Sequence, residues 1–229
     1  MKTLLWSLCC LLTFSKAHAQ GEEALLKAVR AKLDKVTDYE ASGRMKIDVS
    51  FIQAPQSDVT IYYKKPDLFK VKKKDGISIL PKGGVGINMG SILSGGDFTV
   101  VPAGNAVVAG INTKVIKLLP QSESGDVVLL TLYIDEKAAL VKRSKVVTRE
   151  NGSYEIDLTY GKYAAWGLPD NVVFSFNAKA YKLPKGITFE YEKSGTPPPA
   201  PAKDQTGKIA IDYNSYKINK GLSAAMFTK

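Results

Sequence analysis

From residue 44 onward the chain alternates. Met45, Ile47, Val49 and Phe51 fall between Arg44, Lys46, Asp48 and Ser50, and Val59, Ile61 and Tyr63 fall between Asp58, Thr60, Tyr62 and Lys64. Phe69 and Val71 alternate with Lys70 and Lys72, and Tyr154, Ile156, Leu158 and Tyr160 with Glu155, Asp157 and Thr159. A side-chain period of two sends one set to each face of a strand, so these segments predict antiparallel sheet with one apolar and one wet face. Further strands are expected near 97–101, 111–119, 127–134, 139–149, 153–160, 171–177, 187–191 and 207–213. Asp75-Gly76 and Asn151-Gly152 read as two-residue hairpin turns, because these pairs tolerate positive φ. About a dozen closely spaced strands without alternating helices exclude a parallel βαβ fold. No repeat of the length used by propellers or solenoids is visible. The class is mainly β: an antiparallel barrel or a strongly curved sheet.

Ahead of the strands the period is 3.6. Leu25, Leu26, Val29, Leu33 and Val36 share one helical face, with Lys27, Arg30, Lys32, Asp34 and Lys35 on the other. This predicts an amphipathic helix over 22–36 docked on the sheet. Glu22 and Glu23 are expected in its first turn, where the helix dipole favours negative charge.

Both cysteines, Cys9 and Cys10, and the single histidine, His18, lie within the first nineteen residues. That stretch reads as a cleaved export signal. Lys2 opens it, Leu4 to Phe14 form an apolar run too short to span a bilayer, and Ala17-His18-Ala19 is a small-x-small cleavage site. Residues 20–229 are then one exported domain without Cys or His. Zinc held by those residues, thiol nucleophiles, Ser-His catalysis and disulfides are excluded from it. Its core is held by packing.

Other catalytic signatures are missing too. Gly84-Val85-Gly86 starts like a dinucleotide loop, but Met89 stands where the third glycine belongs. Glu155 and Asp157 share a strand face as a glycosidase pair would, yet oppose the apolar side and read as solvated. The chain is basic, with 32 Lys+Arg against 22 Asp+Glu. Lys64, Lys65, Lys70, Lys72, Lys73 and Lys74 cluster without the interleaved aromatics of a nucleic-acid site, so they read as a solubilising face on edge-prone strands, and no nucleic acid partner is expected.

The inward apolar sets of many strands face one short helix, which leaves either a filled core or a cleft with room for acyl chains. The segment Pro81–Gly96 is glycine-rich yet carries Val85, Ile87, Met89, Ile92 and Leu93, so it needs something to cover. Leu33 to Ser42 (LDKVTDYEAS) and Tyr62-Tyr63-Lys64-Lys65-Pro66-Asp67-Leu68-Phe69 resemble the periplasmic outer-membrane lipoprotein carrier family of LolA and its lipoprotein-sorting relatives. Leu132-Tyr133-Ile134-Asp135, and Leu168-Pro169 with Val172-Val173-Phe174, fit the later family strands more loosely.

The resemblance implies a curved antiparallel sheet forming an unclosed half-barrel under a helical or loop lid. It implies a carrier that binds acyl chains of lipids or lipoproteins without cofactor or catalysis, as a monomer served by membrane donor and acceptor proteins. Met45, Ile47, Val49, Ile61, Tyr63, Phe69 and Val71 are the expected ligand contacts, with Ile87, Met89, Ile92 and Leu93 as cover. The family carrier latches its lid with an arginine before the proline. Here the latch candidate is Lys65, a compact charge without a planar fork. A sensing or protein-interaction module on the same fold is the alternative.

Overall fold

The computed structural model describes residues 13–48, 56–73, 89–94, 96–122, 125–149, 152–177 and 206–227. Helix α1 spans Thr13–Leu33, and a short helix, α2, spans Met89–Ser94. Ten strands follow the alternation: β1 Asp38–Asp48, β2 Ser57–Lys64, β3 Leu68–Lys73, β4 Phe98–Val108 and β5 Ile111–Pro120. The rest are β6 Val127–Asp135, β7 Leu140–Thr148, β8 Ser153–Thr159, β9 Asn171–Asn177 and β10 Thr206–Ile218.

They form one antiparallel sheet in the order β3-β2-β1-β10-β9-β8-β7-β6-β5-β4. Laid flat, its edge strands would stand about 40 Å apart at the usual strand spacing. Yet Lys65, in the β2–β3 turn, and Asp97, just before β4, line the same cavity. The sheet therefore curves, bringing the β2–β3 turn and the start of β4 to one cavity beside the helices.

Register carries the inward side chains across the strands in rows. One row runs Ile116, Leu132, Ser144, Ile156, Phe174, Ile209 and Ile47, from β5 to β1. Its neighbour runs Leu118, Leu130, Val146, Tyr154 and Phe176, ending on Gly207. All these side chains are buried in one cluster with Leu25, Leu26 and Val29 of α1 and Met89, Ile92 and Leu93 of α2, except Ser144, which is equally buried but polar. Ring contacts of 4.9 Å between Tyr154 and Phe174 and 5.5 Å between Phe174 and Phe176 mark the centre of the sheet.

Several details differ from expectation. The helix begins at Thr13, so it runs through the expected cleavage point, and Glu22 lies in its interior, not its first turn. Strand β4 continues through Pro102 and Gly104, residues that read as breakers, because a register shift between Pro102 and Asn105 absorbs them on an edge strand. Its hairpin closes on Ala109 and Gly110, both at positive φ, without the Asn or Asp that usually signals such a turn. Gly152 has the positive φ expected of its turn, whereas Asp75-Gly76 and the strand expected at 187–191 lie outside the described residues. At Gly43 the shift in β1 brings the Asp212 carbonyl oxygen within 2.6 Å of where a Cβ would stand, so no side chain fits.

The lysine cluster is more than a solubilising face. Lys64 Nζ donates to the carbonyl of Leu222, and Lys70 Nζ to that of Met226 at 3.0 Å, pinning the C-terminal turn across β2 and β3. The opposite edge, β4, carries no charged side chain.

A tyrosine cluster closes the end of the sheet beside β1 and β10. Tyr39 stands 5.3 Å from both Tyr63 and Tyr216, and Tyr216 stands 4.8 Å from Tyr163. The Tyr216 hydroxyl donates to the Pro169 carbonyl at 2.7 Å. Burial, reinforced by the neighbouring Tyr213, pushes the Tyr39 and Tyr216 phenols well above their ordinary value. A raised folded-state pKa means the native state holds these protons more tightly than the unfolded chain does. The stability is complete below about pH 10 and is lost as pH rises beyond it. The urea midpoint is expected to stay level up to about pH 9.5 and fall steeply above about pH 10, and tyrosinate absorbance is expected to rise with unfolding.

Candidate functional site

The bend creates a seam where the two ends of the sheet approach each other. A cavity of about 290 Å³ lies there, lined by Arg30, Leu33, Asp34, Lys65, Gly90, Leu93, Gly96 and Asp97. Its apolar wall, Leu33 and Leu93, belongs to the two helices that cover the concave face. Its charged wall comes from the C-terminal half of α1, the β2–β3 turn and the residue before β4.

Helix α1 bridges this seam through a few polar ties. At its C-terminal end Lys65 Nζ donates to Asp34 Oδ1 at 2.8 Å and to the Asp34 carbonyl at 3.1 Å, and the Lys65 backbone N–H donates to Thr37 at 2.9 Å. One turn earlier Arg30 Nη2 donates to the Gly96 carbonyl at 3.0 Å, with the guanidinium 5.5 Å above the Phe98 ring. Arg30 Nε is buried and has no acceptor. Lys32 Nζ donates to the Ala138 carbonyl in the β6–β7 turn. Toward the N-terminal end Glu22 Oε1 lies 3.6 Å from Lys114 Nζ on β5, and Glu22 is 4% exposed, with Oε2 unpartnered. The Lys65–Asp34 tie, through partly exposed groups, is worth roughly 0–1 kcal/mol. The helix is therefore oriented by these ties and held mainly by its apolar stripe.

The expected contact residues separate into three groups. Met45, Ile47, Ile61 and Tyr63 come together on the concave face with Met89, Ile92 and Leu93 above them, all in the buried cluster. Phe69 and Val71 are half-buried at the β3 edge and pack against that cluster. Val49 and Ile87 lie outside the described residues. Among the described residues, side chains of α1 and α2 share one buried cluster with this first group.

Sequence reasoning missed Glu22, Arg30 and Lys114. Two of them carried a readable signal. Glu22 shares the stripe of Leu25, Leu26 and Val29, and Lys114 shares strand parity with the inward Ile116 and Leu118, so each puts a charge on an apolar face that needs an opposite charge. Arg30 carried none, because its partners come from a residue 66 positions away and the far edge of the sheet.

Among the described residues no helix is long and apolar enough to cross a membrane. No family model and no curated protein matches the sequence. Solved structures do match in shape. A LolA superfamily protein from Nitrosomonas europaea aligns with TM-score 0.54 at 9% identity, covering 89% of this chain and 97% of that one. A DUF1329 family protein from Desulfovibrio piger aligns with TM-score 0.53 at 11% identity over 90% and 96% of the two chains. A domain described as an outer membrane lipoprotein-sorting protein from Vibrio parahaemolyticus aligns with TM-score 0.51 at 11% identity over 91% and 97%. Identities this low speak to architecture alone, and that architecture agrees with the strand order, the bend and the helical cover: the chain has the LolA-like fold, an unclosed antiparallel half-barrel.

Proposed function

We propose that this protein is a periplasmic carrier that shelters the acyl chains of lipids or lipoproteins between its concave sheet face and its helical cover. The observation that carries the reading is the cover itself. Strands β1, β2 and β5–β10 present continuous rows of apolar side chains, and among the described residues α1 and α2 shield them, tied at the seam by polar groups such as the partly exposed Lys65–Asp34 pair. Replacing helix by hydrocarbon keeps both surfaces dry. Each buried CH₂ contributes roughly 0.8 kcal/mol, so a long acyl chain offsets the lost helix contacts. The lipoprotein-sorting description of one structural neighbour agrees with this reading.

In this scheme Met45, Ile47, Ile61, Tyr63, Phe69 and Val71 receive the chain, Met89, Ile92 and Leu93 move with the cover, and Lys65 latches the cover through Asp34. No cofactor or covalent step is required. Uptake of diphenylhexatriene, a hydrocarbon that fluoresces only in apolar surroundings, tests the reading, together with solvent extraction of lipid from the purified protein. Saturable uptake and co-extracted acyl lipid are expected. No uptake and no lipid, with a stable protein partner instead, would favour the interaction module.

The latch gives a further expectation. Asp34→Asn removes the ion pair of Lys65 and leaves the apolar stripe intact. Because the Asp34 side chain is 59% exposed, stability falls by no more than about 1 kcal/mol. The rate of diphenylhexatriene uptake is expected to rise several-fold, as followed by stopped-flow fluorescence.

A further inference from the structure

We infer that the seam cavity is a binding site for the phosphate oxyanion of an amphiphile's headgroup, held by Arg30 and Lys65. The inference rests on the carrier reading and adds the headgroup to it.

The cavity is amphipathic in the right sense. Leu33 and Leu93 form a wall continuous with the buried cluster under the cover, and Arg30 and Lys65 stand on the charged wall. At about 290 Å³ it has room for a headgroup and not for long acyl chains, which places the chains under the adjoining cover.

Arg30 is incompletely used. Its Nη2 serves the Gly96 carbonyl, but the buried Nε donor has no acceptor, and an orphaned donor on a charged group is costly to leave unmade. An oxyanion that enters as the cover shifts and uncovers Nε is the complementary partner, since guanidinium groups bind phosphate through paired N–H donors. Lys65 can supply the second cation by exchanging Asp34 for the ligand. The freed Asp34 carboxylate is 59% exposed and returns to water. Asp97, also at the cavity, is exposed. The surplus of 32 basic over 22 acidic residues draws anionic lipids toward the molecule. Headgroup capture then releases the latch at the place where the chains must pass.

The test uses vesicles of equal parts phosphatidylglycerol and monogalactosyldiacylglycerol, which share acyl chains but differ in phosphate. Extracted lipid is counted by mass spectrometry for the wild type, Arg30→Gln and Lys65→Gln. Inorganic phosphate is titrated alone while the Arg30 Nε–H resonance is followed. The wild type is expected to favour phosphatidylglycerol about tenfold, the value of one charge-assisted hydrogen bond, and each variant to lose that preference. Phosphate alone is expected to move the Arg30 resonance only weakly.

Equal extraction of the two lipids with strong binding of free phosphate would overturn the headgroup assignment and leave a free-anion site. A preference unchanged in both variants would overturn the site altogether. Diphenylhexatriene uptake in the same samples separates the two readings. If it persists while the lipid preference is absent, the headgroup inference alone fails. If neither hydrocarbon nor lipid is taken up, the carrier reading fails.

Discussion

Phe174→Ala is expected to lower stability by about 3–5 kcal/mol, the usual cost of deleting a buried aromatic ring. For a chain of this size that corresponds to a drop in Tm of roughly 6–20 °C. Phe174 is 1% exposed and sits between Ile156 and Ile209 in the central inward row, with Tyr154 and Phe176 rings against it. Neighbours on three strands cannot all collapse into the gap, so most of the lost volume persists as cavity. Leu119→Ala provides the control. Leu119 is 42% exposed, and its substitution is expected to change stability by no more than about 0.5 kcal/mol. Urea unfolding of the three proteins measures both. The gap opens on the concave face, so the carrier reading adds a second outcome: Phe174→Ala takes up diphenylhexatriene more tightly even as it unfolds more easily. A variant that is merely destabilised would not.

Fastening the cover is expected to abolish uptake. With Cys9→Ser and Cys10→Ser removing the native thiols, Asp34→Cys and Lys65→Cys place one thiol on each side of the seam contact. Before bridging, this protein lacks the Lys65 latch and is expected to take up diphenylhexatriene faster than the wild type. After reaction with a short bis-maleimide the helix end is tethered to the β2–β3 turn, and uptake is expected to fall at least about tenfold, as for a protein whose binding-competent form has become rare. Equal uptake by bridged and unbridged protein would mean that hydrocarbon does not pass beneath α1.

What could be read from sequence follows the physics of near neighbours. The alternation at Tyr154-Ile156-Leu158 and Met45-Ile47 placed those side chains inward correctly, because strand parity is a local property. The stripe Leu25-Leu26-Val29 likewise predicted the buried face of α1. Glu155 and Asp157, read as carboxylates on the outer face, are there, paired with Arg143 and Lys145 at 2.6–3.2 Å. Long-range matters were hidden. Nothing local says that Lys64 and Lys70 serve carbonyls more than 150 positions away, or that Arg30 meets the segment before β4. The long β4 was hidden for another reason: Pro102 and Gly104 are breakers in a central strand but acceptable at a shifted register on an edge. The filling of the hollow depends on how far the sheet bends and where Met89–Ser94 lies, and side-chain pattern encodes neither.

The central claim is that the concave face exchanges helical cover for hydrocarbon. Intermolecular NOEs between the acyl protons of bound phosphatidylglycerol and methyl-labelled protein test it most directly. The account predicts NOEs from the chain to the methyl groups of Met45, Ile47 and Ile61, together with weakened contacts between those groups and the helical cover. It is contradicted if the chain meets only outward side chains such as Val101, Val107 and Leu119 while the concave methyl groups keep their helix contacts.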